Sequence, residues 1–377
     1  MAVEVTIGRE ATSAANLASM NVPGRLAQLR ERLGKERIDG ILVTSLANVR
    51  YLSGFSGSAA LLVVTARRAL LITDGRYRDQ AAAETAAAGV DVDLEVVGAT
   101  KQVQAVETAT SNLARLALEA KAVSWELQAQ FAATLKPELV ATSGLVEAIR
   151  LVKDAGEIDR IERACDIADV AFAQTKGLLA QGVTEAEFAA ELEFEMRRRG
   201  AAQASFETIV ASGPNGAMPH AQPTGRVISP GDLVVVDFGA VVDGYHSDMT
   251  RTVCVGEPSA ADISLLDAVA ASQRAGLVAV VAGVTGGAVD EACRKSLGEA
   301  GLAEAFTHST GHGVGLEVHE APTLAAGSEE NLAEGSVVTV EPGVYLEERG
   351  GVRIEDTVVV TRTGCRPLTK TTKDFLL

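Results

Sequence analysis

The stretch LVVVDFGAVVDGYHSDMTRTV, residues 233–253, predicts a β-hairpin on which the rest of the fold prediction depends. Its two apolar runs flank an Asp-Gly dipeptide at 243–244, which favours a two-residue hairpin turn. Pairing about that turn places Asp237 opposite Thr250, so Asp248 becomes a diagonal neighbour on the same face. Two carboxylates side by side in an apolar sheet are costly unless cations neutralise them. Alternatively, Asp237 caps a backbone group or pairs with an arginine, and Asp248 is a surface turn residue.

A second hairpin is predicted for VVTVEPGVYLEERGGVRIEDTVVV, residues 337–360. It carries Glu341 on one strand and Glu355 on the other, opposite each other on one face. Arg353 lies two residues before Glu355 and therefore on that same face. The hairpin thus offers two more carboxylates, although a salt-bridged pair at a sheet edge is an alternative interpretation.

The histidines are confined to one part of the chain, because none occurs in the first 219 residues. Three of them lie in HSTGHGVGLEVHEAP, residues 308–322, between the two hairpins. A lone histidine is usually a core or surface residue, but three within twelve residues beside four carboxylates favour a site. The five histidines are His220, His246, His308, His312 and His319.

The hairpins together supply two aspartates and two glutamates, which carry four negative charges. Two divalent cations held by these groups and one histidine would make the site nearly neutral. Such a pair of ions can share a bridging water and lower its pKa. An oxygen-rich shell with one nitrogen favours Mn2+, Co2+ or Fe2+ over a thiolate-type zinc site. The chemistry that this site supports is hydrolysis.

We expect two domains after a disordered or extended lead-in at residues 1–20. Residues 21–150 are predicted to form an α/β domain from alternating strand-like and helical stretches: helix 25–38, strands 40–44, 60–65 and 69–73, and helices 75–88 and 104–119. Residues 151–377 are predicted to form an α+β domain, with a helix that begins near residue 153, hairpins at 231–256 and 336–362, and helices at 259–282 and 286–300.

The composition is that of a globular protein without polyanionic partners. The chain has 377 residues, of which 47% are hydrophobic, and a formal net charge of −16. Such a surface repels phosphate backbones and anionic membranes, so we expect neither nucleic acid nor membrane partners. The four cysteines are scattered, and we recognise neither a secretory signal nor an apolar run of membrane-spanning length, so a cytoplasmic location is expected.

The motifs resemble those of the "pita-bread" metallopeptidases, which include methionine aminopeptidase, aminopeptidase P, prolidase and the metal-free creatinase. The runs DFGAVVDGYHSDMTRT, HSTGHGVGLEVHEAP, TVEPGVY and GGVRIEDTVVV carry the resemblance in the family's order, over residues 152–370. NVRYLSGFSGSAALLVV and ITDGRYRDQA, at 48–64 and 72–81, resemble the creatinase-type N-terminal domain. The resemblance implies an α/β N-terminal domain followed by an α+β pita-bread catalytic domain.

The resemblance also assigns roles to individual residues. It implies that Asp248 and Glu355 bridge two metal ions, that Asp237 binds one ion, and that His312 and Glu341 bind the other. Glu341 would also accept a proton from the attacking water. The remaining assignments concern catalysis and the substrate: His220 near the scissile peptide, His319 at the substrate carbonyl, and His308, Arg353 and Tyr345 around the proline pocket. His246 has no ligand counterpart and is interpreted as a supporting or exposed residue.

The function that follows is hydrolysis of the Xaa-Pro bond of dipeptides, as in prolidase. An aminopeptidase P, which releases the N-terminal residue of longer Xaa-Pro peptides, is the alternative. An inactive peptide-binding member and a metal-free creatinase-like hydrolase are less favoured, because all five ligand positions are filled. The expected cofactors are two divalent ions, Mn2+ first, with Co2+, Fe2+ or Zn2+ as alternatives. The expected partners are a small peptide with proline at its second position and a second copy of the chain in a homodimer.

Overall fold

The structure is a computed structural model that describes residues 17–347 and 349–377. The described chain divides into two compact units, one of residues 20–152 and one of residues 17–19 with 153–377. We call them the N-terminal unit and the catalytic unit. Most of the lead-in predicted at residues 1–20 lies outside the described residues.

The N-terminal unit is built on a six-stranded sheet with the order β4-β3-β2-β1-β5-β6. Strand β1 pairs antiparallel with β2 and parallel with β5, so the sheet is mixed. The elements are α1 Val22–Lys35, β1 Gly40–Val43, α2 Leu46–Ser53, β2 Ala60–Thr65, β3 Ala69–Thr73, α3 Arg78–Ala87, β4 Asp93–Val96, α4 Gln102–Thr110, β5 Arg115–Glu119, α5 Trp125–Thr134, β6 Glu138–Thr142 and α6 Glu147–Arg150.

The helix predicted at 104–119 is wrong in its second half. The helix α4 ends at Thr110, and Arg115–Glu119 is strand β5, in the middle of the sheet between β1 and β6. Leu116 and Leu118 pack into the core on one side of that sheet. Burial between two neighbouring strands therefore overrides the helical propensity of this Ala- and Leu-rich stretch. The three strands that were predicted for this unit, at 40–44, 60–65 and 69–73, are confirmed.

The catalytic unit contains four sheets, ordered β11-β10-β7, β12-β9-β8, β14-β13-β15-β18-β19 and β16-β17. Its helices are α7 Ala155–Thr175, α8 Glu185–Arg198, α9 Ala260–Ala279 and α10 Gly286–Glu299. Its strands are β7 Gln203–Ala204, β8 Ile209–Ser212, β9 Leu233–Phe238, β10 Ala240–Val242, β11 Tyr245–His246, β12 Met249–Cys254, β13 Gly311–Gly313, β14 Glu320–Leu324, β15 Val337–Val340, β16 Gly343–Leu346, β17 Gly350–Arg353, β18 Asp356–Thr361 and β19 Gly364–Pro367.

The first predicted hairpin is confirmed with its register. Asp237 pairs with Thr250, and the same register continues through β10 and β11 to the turn at 243–244. Both turn residues have positive φ, 45° at Asp243 and 75° at Gly244, as an Asp-Gly hairpin turn requires.

Alternation along β9 separates the core from the site. Val234, Val236 and Phe238 face a hydrophobic cluster that includes residues of α7 and α8. Because successive side chains of a strand point to opposite faces, Asp237 is turned away from that cluster. The helical layer thereby fixes the face on which the carboxylates lie.

The second predicted hairpin is interrupted at its acidic residues. Strand β15 pairs with β18 and β16 pairs with β17, while Glu341 and Glu355 lie between these paired segments. Their backbone N–H groups donate instead to carbonyl groups outside this hairpin. That of Glu341 donates to Thr310 O at 2.8 Å, and that of Glu355 donates to Thr250 O at 3.1 Å. These bonds tie the second hairpin to the first hairpin and to the histidine-containing segment, which brings the site together.

Candidate metal centre

Three separate segments bring acidic and imidazole groups to one place. Asp248 lies immediately before β12, His312 in β13, and Glu355 between β17 and β18. One potential ligand atom from each of these residues lies within 4.8 Å of the others. Asp248 is 5% exposed and Glu355 1%, so the interpretation of Asp248 as a surface turn residue is wrong.

His312 is oriented with Nε2 toward the carboxylates. Its Nδ1 lies 3.1 Å from Gly313 O and donates a hydrogen bond there. Nε2 lies 3.3 Å from Glu341 Oε1 and 3.6 Å from Asp248 Oδ2. The tautomer with its proton on Nδ1 leaves the Nε2 lone pair available, which is the form that binds metal ions.

Two buried carboxylate oxygens lack a hydrogen-bond partner among the residues that the structure describes, Asp237 Oδ1 and Glu355 Oε1. The second oxygen of each carboxylate accepts a hydrogen bond: Arg353 Nη2 donates to Asp237 Oδ2 at 2.6 Å, and Thr250 Oγ1 donates to Glu355 Oε2 at 2.7 Å. Leaving a buried anionic oxygen unpaired is costly. Divalent cations that prefer oxygen ligands would satisfy both atoms, so the donor set fits such ions.

The electrostatics indicate an excess of negative charge. Burial, and then the charge of Glu355, raise the pKa of Asp248 well above its usual range. Burial, and then the charge of Glu341, do the same to the pKa of Glu355. Burial also raises the pKa of Asp237, although Arg353 opposes the shift. Cations at this position would offset the repulsion that adds to the effect of burial on these pKa values.

Glu341 and His312 form a complementary pair. Burial alone would raise the pKa of Glu341, but the hydrogen bond and charge of His312 outweigh it and lower that pKa. Burial opposes protonation of His312, yet the same contact with Glu341 raises the imidazole pKa. Glu341 is therefore ionised at neutral pH, and in the absence of a cation His312 takes part of the compensating charge.

Arg353 organises one wall of the centre. Besides Asp237, it donates through Nε to Thr250 Oγ1 at 3.1 Å and through Nη1 to Tyr345 Oη at 2.7 Å. Tyr345 Oη lies 2.7 Å from His308 Nε2. Burial raises the pKa of Tyr345 to about 12 and lowers the pKa of His308, so the phenol is protonated and the imidazole is neutral at pH 7.

The other histidines occupy different positions. His319 is exposed, and its ring centroid lies 4.2 Å from that of His312. His220 is also exposed, and the residue before it, Pro219, accepts a hydrogen bond from Arg353 Nη1 at 3.1 Å. His246 lies in β11, where its Nδ1 is 2.9 Å from Ser205 Oγ.

Two threonines of the centre were not singled out from the sequence as site residues. Thr250 contacts both Glu355 and Arg353, as described above. Thr339 Oγ1 accepts from the His312 backbone N–H at 3.1 Å and donates to Glu341 Oε1 at 3.3 Å. Strand alternation could have indicated Thr339, because it lies two residues before Glu341 and so on the same face.

The fold is that of a pita-bread metallopeptidase, and the catalytic unit holds a possible metal-binding cluster. The model of metallopeptidase family M24 matches residues 159–362, and that of the creatinase/prolidase N-terminal domain matches residues 25–152. The chain therefore belongs to metallopeptidase family M24, and the resemblance and fold class expected from the motifs are confirmed. Within the described residues, no helix has the length and apolar character needed to cross a membrane.

Three relatives are similar to nearly the whole chain. An Xaa-Pro dipeptidase of Pyrococcus horikoshii is 34% identical over 93% of this chain and 98% of its own length. The structure of an Xaa-Pro dipeptidase from Bacillus anthracis is 39% identical, covers 94% of this chain and 100% of that chain, and has a TM-score of 0.91. An X-Pro aminopeptidase structure from Thermotoga maritima is 37% identical, covers 91% and 100%, and has a TM-score of 0.84.

Proposed function

We propose that this protein is an Xaa-Pro dipeptidase that depends on two divalent metal ions. The observation that carries the proposal is the cluster of buried carboxylates beside His312, with the orphaned oxygens of Asp237 and Glu355. Similarity to proteins named Xaa-Pro dipeptidase, over nearly the whole chain, supports the choice of substrate.

The metal ions would be held by Asp237, Asp248, His312, Glu341 and Glu355. Manganese is proposed first, because the donor set is rich in oxygen, and Co2+, Fe2+ or Zn2+ are alternatives. When bound, such ions polarise a peptide carbonyl and lower the pKa of water.

The residues of the chain supply proton transfer and orientation. The lowered pKa of Glu341 keeps it ionised and able to accept a proton from the attacking water. The side chain of His319 is exposed on one side only; its partial burial, and then the neighbouring His312, lower its pKa, so it is a neutral ring that can donate one N–H to the substrate carbonyl oxygen. His220 would donate a hydrogen bond to the oxygen of the former carbonyl group as the tetrahedral intermediate forms.

The wall formed by Arg353, Tyr345 and His308 suits a proline side chain. Their polar atoms bond to one another, at 2.7 Å on either side of Tyr345 Oη. The proline nitrogen of an Xaa-Pro bond carries no hydrogen, so the site needs no acceptor for it.

An aminopeptidase P activity is the second candidate, because the Thermotoga maritima structure named X-Pro aminopeptidase is 37% identical, which lies between the 34% and 39% of the two dipeptidases. Hydrolysis of Ala-Pro and Ala-Pro-Ala with Mn2+ present separates the two. A dipeptidase is expected to cleave Ala-Pro and to cleave the tripeptide much less efficiently. Comparable efficiency on both peptides would favour the aminopeptidase, and turnover of neither would contradict both proposals.

We also propose a homodimer in the cytosol. The cysteines support a reducing compartment, because all four are free thiols and three of them are buried. Sedimentation analysis of the purified protein tests the dimer. Cell fractionation tests the location.

A further inference from the structure

A buried glutamate lies beneath the segment that carries His220. Glu185 is the first residue of α8 and is 0% exposed. The segment leaves β8 at Ser212, passes Pro219 and His220, and returns at Thr224. We call residues 213–223 the His220 loop.

The Glu185 carboxylate binds both ends of the His220 loop and its first turn. Oε1 accepts from Ser212 N at 2.8 Å and from Ser212 Oγ at 2.6 Å. Oε2 accepts from Thr224 N at 3.0 Å and from Thr224 Oγ1 at 2.6 Å. Asn215 Nδ2 lies 3.0 Å from both oxygens. Hydrogen bonds to an ionised acceptor are stronger than neutral ones, so this carboxylate is a firm anchor.

The backbone of α8 reinforces the attachment. Ala186 N donates to Thr224 O at 3.0 Å, and Glu185 N donates to Arg226 O at 3.1 Å. A carboxylate in the first turn of a helix is also stabilised by the helix dipole. The burial of Glu185 is therefore compensated at the place where the His220 loop begins and ends.

The other side of the His220 loop rests on strand β17. A side chain at Gly351 would collide with Gly216 O, and one at Gly350 would press on Gly213 O, so the two backbones are in close contact. Arg353 reaches the loop through its bond to Pro219 O, directly before His220. The loop thus spans from Glu185 to the centre.

We propose that Glu185 is a positioning residue that holds the His220 loop against β17 so that His220 meets the reacting carbonyl. The role of His220 rests on the proposed peptidase function. Glu185 acts through that loop, because both of its carboxylate oxygens are engaged by Ser212, Asn215 and Thr224.

The variant Glu185→Gln tests the proposal, since it keeps the size of the side chain but turns one acceptor into a donor facing N–H groups. We expect kcat on Ala-Pro to fall about ten- to a hundredfold, as for a misplaced catalytic group, while KM and the number of bound Mn2+ ions stay unchanged. Hydrogen exchange should accelerate at amides of the His220 loop but not in β9. Glu187→Gln is the matched control, because Glu187 is exposed on the same helix turn and bonds Thr184 instead.

A double-variant comparison shows whether Glu185 acts through His220. If it does, Glu185→Gln combined with His220→Ala loses no more activity than His220→Ala alone. Losses that multiply, or a Glu185→Gln protein with normal kcat and loop exchange, would overturn the proposal. Should Glu185→Gln not fold, Asn215→Ala removes one donor and should shift kcat and exchange in the same direction by less. If the wild type cleaves no Xaa-Pro peptide, the proposed function fails. Hydrogen exchange at the amides of the His220 loop then still tests whether Glu185 anchors that loop.

Discussion

Asp237 pairs with Arg353 through one carboxylate oxygen and keeps its other oxygen buried without a partner among the described residues. The two interpretations of Asp237 made from the sequence, an arginine partner or a cation ligand, are thus compatible at this residue. Glu355 repeats the arrangement with Thr250 as its partner. At the scale of the residue, each of these carboxylates is oriented by a neighbour and retains an oxygen for a ligand.

In the metal-free protein, the contribution of Asp248 and Glu355 to stability should fall as the pH rises above about 4, the usual pKa of a carboxyl group. The pKa values of Asp248 and Glu355 are raised in the folded state, so these groups favour folding while protonated and disfavour it as the pH rises through their folded pKa values. Asp248→Asn removes one of the adjacent charges. The metal-free variant should therefore melt several degrees above the metal-free wild type at pH 8, at about 2–4 °C per kcal/mol, with a smaller difference at pH 4.5.

Addition of Mn2+ should reverse that order, because the wild type gains a ligand-induced rise in melting temperature and the variant loses a metal ligand. Asp267→Asn, which changes an exposed carboxylate on α9, is the control and should change neither melting curve. Equal melting temperatures of wild type and Asp248→Asn at pH 8 without metal would contradict the account of the raised pKa values.

At the scale of the element, the sequence pattern predicted the pairing of strands that are joined by a short turn. The register of β9 and β12 follows from the Asp-Gly turn and from alternation, and Asp237 opposite Thr250 could be placed from those alone. The interruption of the second hairpin depends on bonds from Glu341 and Glu355 to distant segments, so no local pattern indicates it. Strand β5 was missed for the same reason, because its neighbours in the sheet come from other parts of the chain.

The segment that carries His319 depends on a buried ion pair that was not predicted. Lys153 Nζ lies 2.7 Å from Glu320 Oε1, with side chains that are 1% and 6% exposed. Lys153→Met should destabilise the protein by about 3–5 kcal/mol, since it removes one partner of a buried ion pair. It should also lower kcat/KM, because Glu320 directly follows His319. Denaturant unfolding and steady-state kinetics measure both effects.

The double variant Lys153→Met/Glu320→Gln should recover part of the lost stability, because it removes the buried charge that Lys153 offsets. Lys370→Met serves as the control, since Lys370 pairs with Asp166 at an exposed site and such pairs contribute about 0–1 kcal/mol. A Lys153→Met protein as stable as the Lys370→Met protein would show that the buried pair contributes little.

At the scale of the whole molecule, the catalytic unit contains two hydrophobic clusters to which both its helices and the strands of its hairpins contribute. One cluster includes residues of α7 and α8, and the other includes residues of α9 and α10. The motifs could predict this fold class because they come from the segments between these helices. They could not predict how the segments join, which depends on hydrogen bonds such as those of Thr250 and Thr339.

Removal of metal ions is therefore expected to affect both activity and global stability. Ligands from both hairpins and from β13 would lose the ions that offset their repulsion, so chelation should abolish Ala-Pro hydrolysis and lower the melting temperature. Saturation at about a hundred times Kd would restore about 2.7 kcal/mol of stability. Elemental analysis is expected to find two Mn2+ per chain. The affinity for these ions should fall at acid pH, because protons compete for Asp248 and Glu355. A chelated protein that keeps its activity and melting temperature would refute the metal centre, whereas bound ions without hydrolysis would indicate a binding protein with the same fold.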